Sequence, residues 1–152
     1  METKFQYMEQ LVSPADSRQN MMYREEEQLQ RCCVNQFKWR YSKYFRLLTH
    51  PANEGTADPK RGARLKAMGV QAGVPDLLLF VARDGYHGLA IEMKSRKGKL
   101  EKVQKEYFSL LEEQGWKTAV CRSLEEFLDI IHEYLGPEED PDRETLLKLL
   151  NA

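Results

Sequence analysis

Two acids and a lysine in the middle of the chain have the types and spacing of a centre that works through a divalent cation. Asp76 closes the run Gly73-Val74-Pro75-Asp76, and sixteen residues later comes Glu92-Met93-Lys94. In a strand, residues two apart point to one face, so Glu92 and Lys94 share a side. A hairpin between the two segments brings the Asp76 carboxylate beside Glu92. Carboxylates this close repel each other, and a dication removes the repulsion. Hard oxygen ligands of this kind suit Mg²⁺ or Mn²⁺. Lys94 is not needed to hold the ion. It can orient or activate a water and neutralise a phosphate, which is the chemistry of metal-assisted phosphodiester hydrolysis. An isolated Glu-x-Lys triplet is common by chance, and a solvated Glu–Lys pair on an exposed strand is the competing reading. Leu89 and Ile91 make this an apolar strand, which places the charges in a core-like segment.

Two further polar residues fall on apolar helix stripes. Gln104 lies between Leu100, Tyr107 and Phe108, either as a satisfied core amide or as a group reaching the acidic centre. Glu26 lines up with Leu29 and Cys33. It is either a partner of the centre or a helix-start carboxylate favoured by the macrodipole, a role Glu25 and Glu27 could share. Lys60, Arg61, Arg64 and Lys66 before Asp76, and Arg96, Lys97 and Lys99 after Glu92, flank the centre in sequence. They read as phosphate contacts, which position DNA without reading its sequence. Tyr41, Tyr44 and Phe45 interleave with Lys43 and Arg46, for stacking on unpaired bases or for packing on the sheet.

The elements that must carry these residues follow from pattern. Residues 1–20 lack periodicity and read as an irregular arm. A helix is expected over 22–41, with Leu29, Cys33 and Phe37 at four-residue spacing. Residues 50–73 are rich in Pro, Gly, Asn and basic residues and predict a long loop with a short helical turn at 64–68. Strands are expected over 74–82, 89–94 and 116–121, the first two joined at Asp84-Gly85. A helix over 100–114 ends at Gly115. Ser123 with Glu126 forms a capping box opening a helix that stops at Gly136-Pro137. The domain organisation is thus an arm (1–21), a catalytic domain (22–136) and an acidic tail with a short helix (137–152). The fold class is α/β, a small mixed central sheet flanked by helices.

Composition agrees with a single domain. The 152 residues are 41% hydrophobic and 31% charged, and no apolar run approaches the roughly 20 residues of a membrane span. Residues 1–10 lack the layout of a signal peptide, so a cytoplasmic location is expected. Cys32, Cys33 and Cys121 form no CxxC pair and read as small core residues. Residues 38–105 hold 15 Lys/Arg against 6 Asp/Glu, a local charge of +9 inside a chain of net −1. Such a basic middle suits a phosphate backbone.

Glu26-Glu-Gln-Leu-Gln30, Gly69-Val-Gln-Ala-Gly-Val-Pro-Asp-Leu77, Ile91-Glu-Met-Lys-Ser95, and Gln104 followed by Gly115-Trp116 together resemble a VRR-NUC domain. This is a branch of the PD-(D/E)xK nuclease superfamily. The similarity runs from Glu26 to about Tyr134. The family's name-giving basic motif is degenerate here, with Met93-Lys94-Ser95-Arg96 in its place. The resemblance implies a restriction-endonuclease-like core and a Mg²⁺ or Mn²⁺ ion bound by Asp76 and Glu92. The Met93 backbone carbonyl and Glu26 would assist, Lys94 would serve catalysis, and Gln104 would be auxiliary. Stand-alone domains of this kind are similar to viral and bacterial enzymes acting on branched DNA, including four-way junctions. That implies the cytoplasm of a bacterium or of a virus-infected host. A sequence-specific or nicking nuclease is the enzymatic alternative, and a non-catalytic nucleic-acid-binding module the other. Symmetric cutting of a junction needs two centres, so a homodimer is expected. Its surface would be Leu146, Leu147, Leu149 and Leu150 of the tail, or Met21, Met22 and Tyr23. The alternative is that the tail folds back on its own domain.

Overall fold

The computed structural model describes residues 14–51, 58–138 and 143–151. Helix α1 (Pro14–Arg40) leads through a 3-10 helix (Ser42–Leu47) into a two-residue strand β1 (Leu48–Thr49). Helix α2 (Pro59–Ala67) comes next. Strands β2 (Leu77–Leu79) and β3 (Leu89–Met93), helix α3 (Lys102–Glu113), strand β4 (Lys117–Cys121) and helices α4 (Leu124–Leu135) and α5 (Arg143–Leu150) complete the order. The four strands form one sheet in the order β1-β2-β3-β4, antiparallel except for β3 with β4. A parallel pair needs a long crossover, and α3 provides it. This is the mixed α/β layout expected, with helices flanking a small sheet.

The sheet has one greasy face and one chemical face. Leu77 pairs with Ile91 and Leu79 with Leu89. By the two-residue alternation of strands, these side chains and Met93 point the same way. They merge with Cys33 and Phe37 of α1 and with Phe127 and Ile131 of α4 into the main core. Phe37 meets Phe127 edge-on, with ring centroids 6.5 Å apart. Asp76, Glu92 and Lys94 fall on the opposite side, where α3 lies. Ala90 and Ile91 are also fully buried, so β3 is covered on both faces.

The Asp84-Gly85 turn forms as expected. Both residues take positive φ, 50° and 84°, and the bridge Arg83–Tyr86 closes around them. This is the backbone that matches a hairpin's twist.

Four expectations are corrected. Helix α1 begins at Pro14 rather than residue 22, so residues 14–21 are helical and only 1–13 of the arm lie outside the described residues. Proline is tolerated there because the first helical N–H has no partner within the helix. Residues 59–67 are a full helix rather than a loop with one turn. The Asp58 side chain caps it, accepting from the Lys60 N–H, and Pro59 opens it. Residues 52–57 of that predicted loop lie outside the described residues. The β2 ladder covers Leu77–Leu79 only, while Leu48 and Thr49 add an edge strand that was not foreseen. Cys33 and Cys121 are buried, but Cys32 is exposed.

Helix α5 packs on the 3-10 helix, and Arg40 holds Glu138 at 2.6 Å, so the start of the tail does return to the domain. Leu147 and Leu150 nevertheless stay 52% and 68% exposed. The side chains of Met21, Tyr23, Leu146 and Leu149 lie outside the described residues, as do Glu139, Asp140 and Asp142. Among the described residues no helix is long and apolar enough to cross a membrane.

Candidate active site

The β2–β3 register decides which acids meet. Leu77 opposes Ile91, so Asp76, one residue earlier, stands directly across from Glu92. The Met93 N–H donates to Asp76 Oδ2 at 2.8 Å and fixes that carboxylate on the strand edge. Gly73 makes the approach possible. Its φ is +84°, and a Cβ there would sit 2.5 Å from the Val103 carbonyl oxygen, so only glycine lets this turn lie against the start of α3.

Glu92 is 2% exposed and Lys94 7%. Their pairing is direct, Nζ to Oε1 at 3.3 Å, which excludes the solvated surface pair. Glu92 Oε1 also accepts from Gln104 Nε2 at 2.5 Å. Gln104 in turn accepts from the Glu101 N–H at 2.9 Å, as one half of a capping box at the start of α3. One glutamine therefore ties the helix start to Glu92. Glu101 at the cap is a signal the sequence held in Glu101-x-x-Gln104.

Of the three consecutive glutamates, Glu26 faces the centre. Its Oε1 accepts from the Ser95 N–H at 3.0 Å, while Glu25 and Glu27 are exposed. Glu26 thus holds the strand end just past Lys94. Arg122 donates to the Gly98 carbonyl at 3.0 Å and braces the same turn. Neither Arg122 nor His50 was singled out from sequence. His50 Nδ1 lies 2.6 Å from the Asp76 carbonyl oxygen. A carbonyl only accepts, so Nδ1 carries the proton.

The electrostatics of the pair are those of two acids held too close. Burial pushes Glu92 up to about 8, and the neighbouring Asp76 adds to it, with Lys94 opposing. Burial also raises Asp76, against the Met93 N–H, Lys94 and His50. Glu92 Oε2 is buried with no hydrogen-bond partner. An orphaned carboxylate oxygen opposite a second carboxylate fits a hard divalent cation, with Asp76 and Glu92 as ligands beside the backbone of Met93. Among the described residues no three His, Cys, Asp or Glu side chains cluster for a metal. Asp76 and Glu92 are the two carboxylates that face each other here, and Glu26 is engaged at Ser95.

The basic positions lie on the surface. Lys60, Arg61, Arg64 and Lys66 of α2 and Arg96, Lys97 and Lys99 after β3 are all exposed. Tyr41 and Tyr44 are packing residues. Tyr41 stacks on Phe37 and donates to the Gly136 carbonyl, and the Tyr44 hydroxyl accepts from Arg83.

Residues 14–125 match the family model of the VRR-NUC domain. A solved structure described as a VRR_NUC domain protein is similar, with a TM-score of 0.63 and 29% identity over 76% of this chain and 92% of that one. The comparison with curated proteins gives no match.

Proposed function

Since the chain belongs to the VRR-NUC family of nuclease domains, we propose that it is a Mg²⁺- or Mn²⁺-dependent endodeoxyribonuclease acting on branched DNA, four-way junctions among them. The observation that carries the reading is the cross-strand pair of half-buried Asp76 and buried Glu92, with Glu92 Oε2 lacking a hydrogen-bond partner and Lys94 beside it. When bound there, a divalent cation supplies Lewis-acid polarisation of the phosphate and eases deprotonation of water. The protein's own part is to hold the two carboxylates in register, to keep Glu92 oriented through Gln104, and to present the Lys94 ammonium. Glu26 fixes the strand end that carries Lys94.

Exposed basic side chains on both flanks supply phosphate contacts. Cleavage of plain duplex, flap and four-way junction DNA, each with Mn²⁺, Mg²⁺ or EDTA, tests the reading. Branched substrates are expected to be cut faster than duplex, and only with metal. Log affinity is expected to fall with log salt by about 0.9 per phosphate contact on duplex. Turnover in excess EDTA removes the metal from the mechanism, and equal rates on all three substrates remove the preference for branches.

Paired cuts in a junction require two centres, and a two-fold dimer of this chain supplies them. Leu147 and Leu150 on α5 are the exposed apolar surface that supports such pairing. Light scattering at micromolar concentration is expected to give twice 17.8 kDa. A single 17.8 kDa species that still makes paired cuts excludes the dimer.

A further inference from the structure

We propose that the groove beside the acidic centre is a pocket for one unpaired nucleotide of the DNA strand being cut. The inference rests on the nuclease reading and narrows its substrate to DNA with a nucleotide that can leave the stack next to the scissile phosphate. The groove has a volume of about 360 Å³ and is lined chiefly by Gln30, Val34, Asn35 and Lys38 of α1, with Phe45 and His50. That volume falls in the roughly 300–1,000 Å³ range of small-ligand sites.

Two routes join the groove to the acids. His50 lines it and also holds the Asp76 carbonyl at 2.6 Å. Gln30 lies one helical turn, about 6 Å, beyond Glu26, whose carboxylate holds Ser95. The groove thus borders the backbone that carries Asp76 and the helix turn that carries Glu26.

The lining has the chemistry of a base and its phosphate. Phe45 offers a ring face, with the Lys38 ammonium 5.6 Å from its centroid. Val34 supplies an apolar wall. The exposed lining is chiefly apolar, and Gln30 and Asn35 border it with carboxamides able both to donate to and to accept from a base edge. Lys38 meets the phosphate. Bases stacked in a duplex cannot enter a groove walled by a helix, whereas an unpaired one can. Part of any preference for branched over plain duplex DNA then resides here.

The test uses DNA with 2-aminopurine as a single-nucleotide bulge in an otherwise paired duplex, against the same duplex without the bulge. Affinities are measured with the wild-type chain in EDTA, and cleavage of both DNAs is measured separately with Mn²⁺. Stacking on one ring supports about a tenfold tighter binding of the bulged DNA, with a change in the 2-aminopurine emission. Phe45→Leu keeps an apolar side chain but removes the ring, and should bring the affinity ratio close to one. Asn35 is exposed, so Asn35→Ala spares the fold, and it should lower the ratio severalfold. Equal affinity for the two DNAs, or a ratio unchanged by both substitutions, overturns the pocket. If Mn²⁺-dependent cleavage persists alongside equal affinity, the nuclease reading stands without the pocket. A bulge preference with no cleavage of any DNA supports the pocket and overturns the nuclease reading.

Discussion

Glu92→Gln is expected to abolish cleavage and, in the same molecule, to stabilise the metal-free protein at pH 8. The two effects share one cause. Glu92 is buried opposite Asp76, and its carboxyl is pushed up from 4.5 to about 8. A group whose folded value is raised binds its proton more tightly in the folded state. Its contribution to stability is full below the unfolded value, near 4.5, and is lost as pH rises through about 8. The raised Asp76 works in the same direction. Metal-free wild type should therefore weaken across that window, and a bound dication should offset the loss. Glutamine keeps the shape and an acceptor for Gln104 and Lys94, leaves Asp76 as the counter-charge to Lys94, and has no charge to desolvate. Thermal melts in EDTA should show the variant ahead at pH 8, by roughly 2 kcal/mol or ~5 °C, with the gap closing at pH 5. Cleavage should fall by about three orders of magnitude, the scale of losing several kcal/mol of transition-state charge stabilisation. Asp76→Asn should lose cleavage similarly but be less stabilising, because Asp76 already accepts the Met93 N–H. A variant less stable than wild type at pH 8, or one that still cuts, contradicts the account.

How much of this was legible in the sequence depended on how local each cause is. The hairpin turn was, because Asp84-Gly85 answers a backbone requirement confined to two residues. The facing of Asp76 and Glu92 followed from that turn and from strand alternation, although β2 proved far shorter than its apolar run. Helix α2 was obscured because Gly62 and four basic residues in nine look like a loop. The signal that starts it is local, an Asp58 cap followed by Pro59. Among three adjacent glutamates, helical phase aligns Glu26 with Cys33 and Phe37, but only the packing of α1 across the sheet brings it to Ser95. His50 could not be found this way. Its contact with Asp76 spans 26 residues and depends on an edge strand of two residues, which carries no periodicity to detect.

Lys94→Ala is expected to lower turnover by two to four orders of magnitude while leaving divalent-metal binding in place, as for loss of a positioned proton-handling or charge-stabilising group. Lys94 is 7% exposed, and a buried ammonium is retained only where it is paired. Its partner is Glu92 Oε1 at 3.3 Å, on the same strand face. Removing it leaves both carboxylates, the Gln104 bond to Glu92 and the Met93 bond to Asp76. Nothing that fits the site for a dication is lost, and one positive charge that opposes a cation is gone. The transition state loses more, because an ammonium in a water-excluded site acts on developing phosphate charge far more strongly than in bulk water. Lys94→Arg should not restore the rate. Its planar fork holds charge but is larger and presents that charge in a different geometry. Calorimetric titration with Mn²⁺ beside single-turnover cleavage separates binding from chemistry. Equal rates for the variant and wild type would remove Lys94 from the mechanism. Loss of Mn²⁺ binding along with the rate would show instead that the lysine holds the two acids in place.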